Sequence, residues 1–314
     1  MSEVIYLEGQ VPLHSSGQRL DLCAAELFPD YSREKLKDWI KSGKLTLNGR
    51  TVKPNVKVLG GEQLLIEAEL EVQGDWLPQD VPFEVIHEDS SILVVNKPTN
   101  LVVHPAAGNY EGTLMNGLLF RYPELANIPR AGIVHRLDKD TTGLMVVART
   151  LSAQAHLVDQ LQSRSVFRQY SAVCFGLPPA EGEVDAPIGR DPGNRKKMAV
   201  VKSGGKEART HYRVEEFLGE FALLSLKLET GRTHQIRVHM SHIGYPLLGD
   251  PLYGKRLPKK RHSDAEALNA ANAFPRQALH AQKLGLVHPD RGESQSWEAP
   301  LPEDMQHLIE CLKR

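Results

Sequence analysis

The residues best suited to chemistry lie in a charged loop, residues 135–143, between two apolar runs. The flanking runs, residues 133–134 and 144–148, are typical of short buried strands, so we expect the loop at the rim of a sheet. Asp138 has cationic neighbours in this loop, and a carboxylate beside cations stays ionised and can act as a nucleophile or base. A purely structural role, in which Asp138 caps a turn and Arg136 pairs with it, fits the same residues.

Two further segments carry candidate functional side chains. Residues 230–240 hold several polar or basic residues, and Arg237 among them could pair with a buried carboxylate and keep it charged. Thr233 is a candidate cap for a short helix there, and an ordinary surface helix is the alternative. Tyr170 lies within a strand-like stretch, residues 166–176, where it could stack on a nucleobase or simply pack in the core.

The histidine and glycine patterns give little support for a metal or a cofactor. His234, His239 and His242 are near one another, but HExxH is lacking and the nearest acids are Glu229 and Asp250. Neither GxxxxGK[ST] nor a strand-linked GxGxxG occurs. We therefore expect no metal site and no cofactor.

The charge of the chain is unevenly distributed, although its formal net value is only −1. Residues 31–57 and residues 190–213 each hold eight Lys/Arg against two acids, a net charge of +6 in each segment. Two basic islands on a near-neutral chain suggest two places for a phosphate backbone, with ordinary solvated surface charge as the alternative.

The three cysteines are far apart and form no CxxC pair, which fits a reducing cytosol. The N-terminal residues do not resemble a signal peptide, and apolar runs fall short of the roughly 18 residues that a membrane span needs. We therefore expect a cytoplasmic protein that does not enter a membrane.

After a short leader, residues 1–16, in which an edge strand is expected at 4–7, the pattern predicts a compact unit over residues 17–75. It consists of a helix at 18–28, a second, basic helix, a hairpin around an Asn-Gly turn, and a strand at 63–66. This unit resembles the S4 RNA-binding domain, a resemblance carried by Arg19, Ser32 (the predicted N-cap of the second helix), Ile40, Asn48, Gly49 and Val52. The resemblance implies that the basic helix and the hairpin face RNA. The candidate RNA contacts are therefore Arg33, Lys37, Lys41 and Arg50. A small interaction domain with a basic face is the alternative.

An acidic linker at 76–82 leads to a large domain, residues 83–314. Strands are expected at 85–86, 92–95, 101–103 and 166–176, with two more over 214–230 joined at 219–220, and helices at 114–120 and 153–161. Strands that meet as hairpins, with helices beside them, predict an α+β fold with a mixed, mainly antiparallel sheet flanked by helices. Residues 258–273 are expected to form a surface insertion.

The large domain resembles the RluA-type pseudouridine synthases. The resemblance is carried by the runs HRLDKDTTGL (135–144), YSAV (170–173), GRTHQIRVH (231–239) and GDPLYG (249–254), and by LHA at 279–281 with His288-Pro289. It implies conversion of uridine to pseudouridine without a cofactor. Asp138 would be the catalytic carboxylate, Tyr170 would stack on the flipped base, and Arg237 would pair with Asp138. Arg136 would fill the gap left by the extruded uridine, and His135 and Arg168 would contact the RNA.

The resemblance also implies a target in a stem-loop of 23S ribosomal RNA at the subunit bridge, free or within the assembling large subunit, and an enzyme that works as a monomer. Related enzymes act on other RNAs, so a different RNA target is an alternative. A non-catalytic RNA-binding or ribosome-assembly protein is a second alternative, and a nucleoside hydrolase is a third. A carboxylate repels phosphate, so a protein that only binds RNA has no need of one at the centre of a basic site.

Overall fold

The computed structural model describes residues 4–28, 31, 33–69, 77–105, 109–194, 197–254 and 265–313. The chain divides into two compact units, Met1–Asp75 and Trp76–Arg314. Within the described residues, none of the helices combines the length and hydropathy that crossing a membrane requires.

The small unit is a three-stranded antiparallel sheet with two helices, in the strand order β1-β3-β2. Its elements are β1 (Val4–Gln10), α1 (Leu20–Leu27), α2 (Arg33–Ser42), β2 (Leu45–Leu47) and β3 (Gln63–Glu69). Leu36, Trp39 and Ile40 lie three and four residues apart on α2 and are buried against the core residues of α1. The periodicity of the sequence predicted this apolar stripe.

The pairing of strands in the small unit differs from the sequence prediction. Asn48 and Gly49 form the expected turn, with φ values of 51° and 72°, but among the described residues a single bridge, from Leu47 to Arg50, closes it. The partner of β2 is instead β3. The edge strand expected at 4–7 is confirmed as part of β1, residues 4–10, although β1 belongs to this sheet rather than to a separate leader. Ser32, the predicted helix cap, lies outside the described residues.

The large unit is built on one nine-stranded sheet. Its strands and helices are β4 (Glu84–Glu88), β5 (Ile92–Lys97), α3 (Leu114–Arg121), β6 (Thr142–Ala148), α4 (Leu151–Gln162), β7 (Phe167–Phe175), β8 (Glu181–Asp185), β9 (Ile188–Arg190), β10 (Met198–Val200), β11 (Arg209–Leu218), β12 (Phe221–Leu228), α5 (Gln235–His242), α6 (Ala265–Ala273), β13 (Leu279–Val287), β14 (Ser294–Glu298) and α7 (Glu303–Leu312).

The strand order is β4-β5-β6-β13-β7-β12-β11-β8, with β14 paired to β13, while β9 and β10 form a separate pair. Within the nine-stranded sheet every described pairing is antiparallel except β6–β13, so the predicted mixed, mainly antiparallel α+β fold is confirmed. The parallel pairing joins only His280 to Thr142 and Ala281 to Gly143. Beyond these residues β13 pairs with β14 instead of β6. The edge of β6 that faces away from β5 is therefore bridged by the loop before β6, at Ile133 and Val147.

Three predictions in the large unit are wrong. Residues 101–103 are not a strand, because the carbonyls of Val102 and Val103 accept hydrogen bonds from the start of α3 instead. Residues 133–134 also form no strand, and the structure gives Ile133 a single bridge to Val147. Residues 265–273 form α6, whose buried Ala267, Leu268 and Ala271 pack in the core rather than in a surface insertion. The earlier part of that predicted insertion, residues 258–264, lies outside the described residues.

The described part of the expected linker, residues 77–82, belongs to the large unit and is hydrogen-bonded to α3. The Asn116 side chain of α3 donates a hydrogen bond of 2.9 Å to the carbonyl of Leu77. The Gln79 amide in turn donates to the Asn116 carbonyl at 3.1 Å. Asn116 therefore ties the segment to the start of α3 from both its side chain and its backbone.

Gly143 holds the short parallel contact beside the loop, so substituting it should weaken the fold there. Its φ is +116°, and an added Cβ would lie 2.3 Å from the Ala281 carbonyl oxygen. We expect Gly143→Ala to lower the free energy of unfolding by about 2–3 kcal/mol, since a backbone clash adds to the strain of a positive φ. Urea unfolding measures this change.

Gly219 is the matched control for that substitution. Its φ is +63° and an added Cβ would meet nothing within 4 Å, so Gly219→Ala carries the conformational strain alone. We expect it to cost about 1 kcal/mol. Equal losses of unfolding free energy in the two variants would show that the close approach of β6 and β13 adds nothing to the cost of Gly143→Ala.

Candidate active site

Two buried cations anchor the backbone of the loop that carries Asp138. The Lys97 ammonium donates to the carbonyls of Lys139 (2.8 Å), Leu101 (2.9 Å) and Pro98 (2.9 Å). Arg276 donates to the Asp140 carbonyl at 3.1 Å. Burial lowers the pKa of Lys97 to about 7, against the opposite influence of nearby carboxylates. Neither cation was predicted from the sequence as a site residue, although a lysine ending an apolar strand was a usable signal.

Asp138 belongs to a chain of ion pairs centred on Arg237. Arg237 Nη1 donates to Asp138 Oδ2 at 2.8 Å, while its Nε and Nη2 donate to the two Asp250 oxygens at 2.7 and 2.9 Å. Arg237 is 4% exposed and the Asp250 side chain is fully buried. Burial raises the pKa of Asp250, but hydrogen bonding and charge from Arg237 outweigh this and leave it lowered. Asp250 thus fixes the guanidinium so that one Nη faces Asp138.

A tyrosine and a histidine complete this side of the site. Tyr253 Oη accepts from the Met198 amide at 2.8 Å and lies 2.8 Å from His234 Nδ1. His234 Nε2 lies 3.9 Å from Asp138 Oδ1, beyond hydrogen-bonding distance. His234, with φ of 57°, is the N-cap of α5, so the predicted cap at Thr233 is wrong.

His234, Asp250 and Tyr253 were not predicted from the sequence as residues of the active site. Asp250 and Tyr253 both lie in the run at 249–254, which was quoted for the family resemblance. A lone acidic residue there gave no sign that it would meet Arg237, because the two are brought together by the fold.

Tyr170 lies on β7 near Asp138. It is 6% exposed, and burial raises its pKa. Arg168 lowers this pKa and Asp138 raises it, so both charges act on the phenol. The structure therefore brings Asp138, Arg237 and Tyr170 into one site, with the phenol neutral near pH 7.

The remaining residues predicted in the loop differ in exposure. Arg136 is exposed, whereas His135 is part-buried and its Nε2 accepts a 3.0 Å hydrogen bond from the Val146 amide. Among the described residues, no group of His, Cys, Asp or Glu has an arrangement that could hold a metal ion.

The basic residues predicted to bind RNA in the small unit differ in exposure and in ion pairing. Arg33, whose side chain is 49% exposed, pairs at 2.7 Å with Asp21, which is fully buried. Burial raises the pKa of Asp21, but hydrogen bonds from Arg19 and Arg33 outweigh this and leave it lowered. Lys41 pairs with Asp38 on the surface of α2. The side chain of Lys37 is partly exposed and Arg50 is exposed at the turn after β2.

The fold and this site define a class of RNA-modifying enzyme. The model of the RNA pseudouridylate synthase family matches residues 91–242, and that of the S4 domain matches residues 18–64. The chain belongs to the RNA pseudouridylate synthase family, and it is an enzyme that isomerises uridine.

The similarity to particular relatives covers the whole chain. The chain is 54% identical to ribosomal large subunit pseudouridine synthase D of Pseudomonas aeruginosa, over 100% of this chain and 98% of the relative. It is 53% identical to the protein of the same name from Yersinia pestis, over 100% and 96%. The solved structure of human RNA pseudouridylate synthase domain containing 4 matches with a TM-score of 0.58 and 27% identity, covering 73% of this chain and 93% of that one.

Proposed function

We propose that this enzyme forms pseudouridine in a stem-loop of large-subunit ribosomal RNA at the subunit bridge, with Asp138 as the catalytic carboxylate. The observation that carries the assignment of Asp138 is its ion pair with Arg237, which the buried Asp250 fixes in place. The names of the full-length relatives support the choice of RNA.

The reaction suits a site built from these groups. Uridine becomes pseudouridine when the C1′–N1 bond breaks and a C1′–C5 bond forms, with no redox change. Arg237 occupies Asp138 Oδ2, which leaves Oδ1 as the oxygen to react with the nucleotide. Tyr170 stacks on the uracil, which suits a buried, uncharged ring.

The target uridine must leave its stack to reach the site. Flipping a base costs a few kcal/mol, and least where pairing is already disrupted, which favours a loop as target. Arg136, exposed on the loop that carries Asp138, takes the place of the extruded base. The small unit grips nearby backbone as an S4-like domain, joined through residues 76–82 to a catalytic domain that begins at residue 83.

The site of action that we propose is the cytoplasm, with the enzyme as a monomer. Its three cysteines are free thiols, two of them buried, which supports a reducing compartment. Analytical ultracentrifugation of the free enzyme would test the monomer.

Pseudouridine mapping on total RNA from a deletion strain tests the target. We expect specific sites to disappear from large-subunit ribosomal RNA and to return with the wild-type gene but not with an Asp138→Asn gene. Loss of sites from another RNA alone would refute the proposed target, and an unchanged map would refute the activity.

The exposed cations of the small unit should control RNA affinity rather than chemistry. We expect the triple variant Lys37→Ala/Lys41→Ala/Arg50→Ala to bind a ribosomal RNA transcript at least about tenfold more weakly, with a salt slope smaller by about 2–3. The turnover rate at saturating RNA should stay within about twofold. Binding isotherms at several salt concentrations and single-turnover rates measure both quantities.

Arg33 is left intact in this variant because it neutralises the buried Asp21. Lys313→Ala is the control, since Lys313 is an exposed cation directly after α7 that pairs with Glu216 at 2.8 Å. Unchanged affinity in the triple variant would contradict an RNA-binding role for these residues.

A further inference from the structure

His135 is held as a neutral hydrogen-bond donor by the open edge of β6. Because β6 and β13 pair over only two residues, the Val146 amide is free to bond to the loop, and it donates to His135 Nε2 at 3.0 Å. A backbone amide can only donate, so Nε2 carries the lone pair and the ring hydrogen is on Nδ1. Burial, together with the charge of Arg168, lowers the pKa of His135 to about 3, so the ring stays neutral.

Within the part of the chain that the structure describes, Arg168 is a buried cation without a counterion. It is 7% exposed, its Nε has no hydrogen-bond partner, and its Nη2 makes one long contact of 3.4 Å with the Glu229 carbonyl. Among the described residues, none of the ion pairs includes Arg168. A buried guanidinium that lacks an anion is costly, so an anion that arrives with a ligand would be favoured.

Arg168 and His135 lie beside the residue that would stack on the base. Arg168 is two residues from Tyr170 on β7, so both side chains lie on the same face of the sheet. Its charge acts on both Tyr170 and His135. Arg168 is therefore close to both rings, and its guanidinium and the Nδ1–H of His135 are hydrogen-bond donors.

We propose that Arg168 and His135 form a subsite for an anionic oxygen of the target nucleotide. The proposal rests on the proposed function and adds the group that these donors recognise. Two oxygens have the required chemistry: a uracil carbonyl oxygen that gains charge during the reaction, and a phosphate oxygen of the flipped nucleotide.

The first source follows from the electron balance of the isomerisation. When the C1′–N1 bond breaks, its electron pair stays with the base, and C1′ regains a pair either from a carboxylate oxygen or from the C2′–H bond. The detached uracil then carries a negative charge shared by its carbonyl oxygens. C5 next bonds to C1′, which releases the carboxylate oxygen in the first case and requires C2′ to regain its proton in the second. C5 then loses its proton, and N1 gains one. A cation in a site that excludes water stabilises this anion most at the transition state.

Arg168→Met tests the subsite, with Arg168→Lys as the charge-conserving variant and Lys313→Met as the control outside the site. The probe is a large-subunit ribosomal RNA transcript. If the oxygen is on uracil, we expect the single-turnover rate at saturating RNA to fall about 10²-fold with an unchanged Kd. If it is on phosphate, we expect a Kd about tenfold higher and a salt slope smaller by about 1, at an unchanged rate. Arg168→Lys should retain most of the wild-type rate in the first case and most of the wild-type affinity in the second.

Thermal unfolding separates this role from a structural one. Removing an uncompensated buried cation should leave the Tm of free Arg168→Met equal to or above that of the wild type. A lower Tm, or a rate and a Kd both within twofold of the wild type, would overturn the subsite. Failure of the wild type to form pseudouridine in the transcript would instead count against the proposed function, because the subsite is judged by variant-to-wild-type ratios.

Discussion

Asp138→Asn is expected to abolish pseudouridine formation while RNA binding survives. Asparagine keeps the size of the side chain and an oxygen for the 2.8 Å contact with Arg237, but it is neither a nucleophile nor a base. We expect the single-turnover rate to fall by at least about 10³-fold, within the range for loss of one acid–base or nucleophilic group. The Kd for the same transcript should stay within about threefold.

The control for this variant is Asp159→Asn, an exposed carboxylate on α4 in the same unit. Its rate and its affinity should match those of the wild type. Full activity of purified Asp138→Asn would remove the central residue of the proposed mechanism. Loss of RNA binding together with activity would assign Asp138 to the integrity of the site instead.

Arg237→Met is expected to lower both activity and stability. The substitution leaves Asp250, which is fully buried, without its cation, and it frees Asp138 from its partner. Breaking a buried ion pair from one side costs about 3–5 kcal/mol, so we expect the free energy of unfolding to fall by that amount near neutral pH. Urea unfolding measures the loss, and single-turnover assays follow the rate.

The stability effect should depend on pH in a defined direction. Asp250 has a lowered pKa in the folded protein, so its pairing stabilises the fold at a pH above the ordinary value of about 4 and is lost as the pH falls. The gap in unfolding free energy between wild type and Arg237→Met should therefore narrow under acid. A gap that stays constant with pH would show that lost packing, rather than lost charge pairing, causes the effect.

A double variant separates stability from positioning. Arg237→Met/Asp250→Asn has no buried charge left at this point, so we expect it to regain part of the stability lost in Arg237→Met. It should stay inactive, because nothing then fixes the Asp138 carboxylate. Recovery of activity in the double variant would show that Arg237 is dispensable as a positioning residue.

Structural elements that depend on interactions between neighbouring residues could be predicted from the sequence. The apolar stripe of α2 follows from a spacing of three and four residues, and the turn at Asn48-Gly49 from the positive φ that both residues tolerate. The long motifs around Asp138 and Arg237 were enough to predict the family and the contact between these two residues.

Other contacts between groups that are far apart in the sequence depend on the tertiary structure and were not predicted. β1 and β2 both pair with β3, residues 101–103 give their carbonyls to α3, and α6 packs in the core. In the site, only the fold brings Asp250 to the far side of the Arg237 guanidinium and places the Lys97 ammonium under the loop. The reason is physical: periodicity and turn preferences report interactions within a few residues, whereas a buried charge is stabilised by whichever partner the fold places beside it.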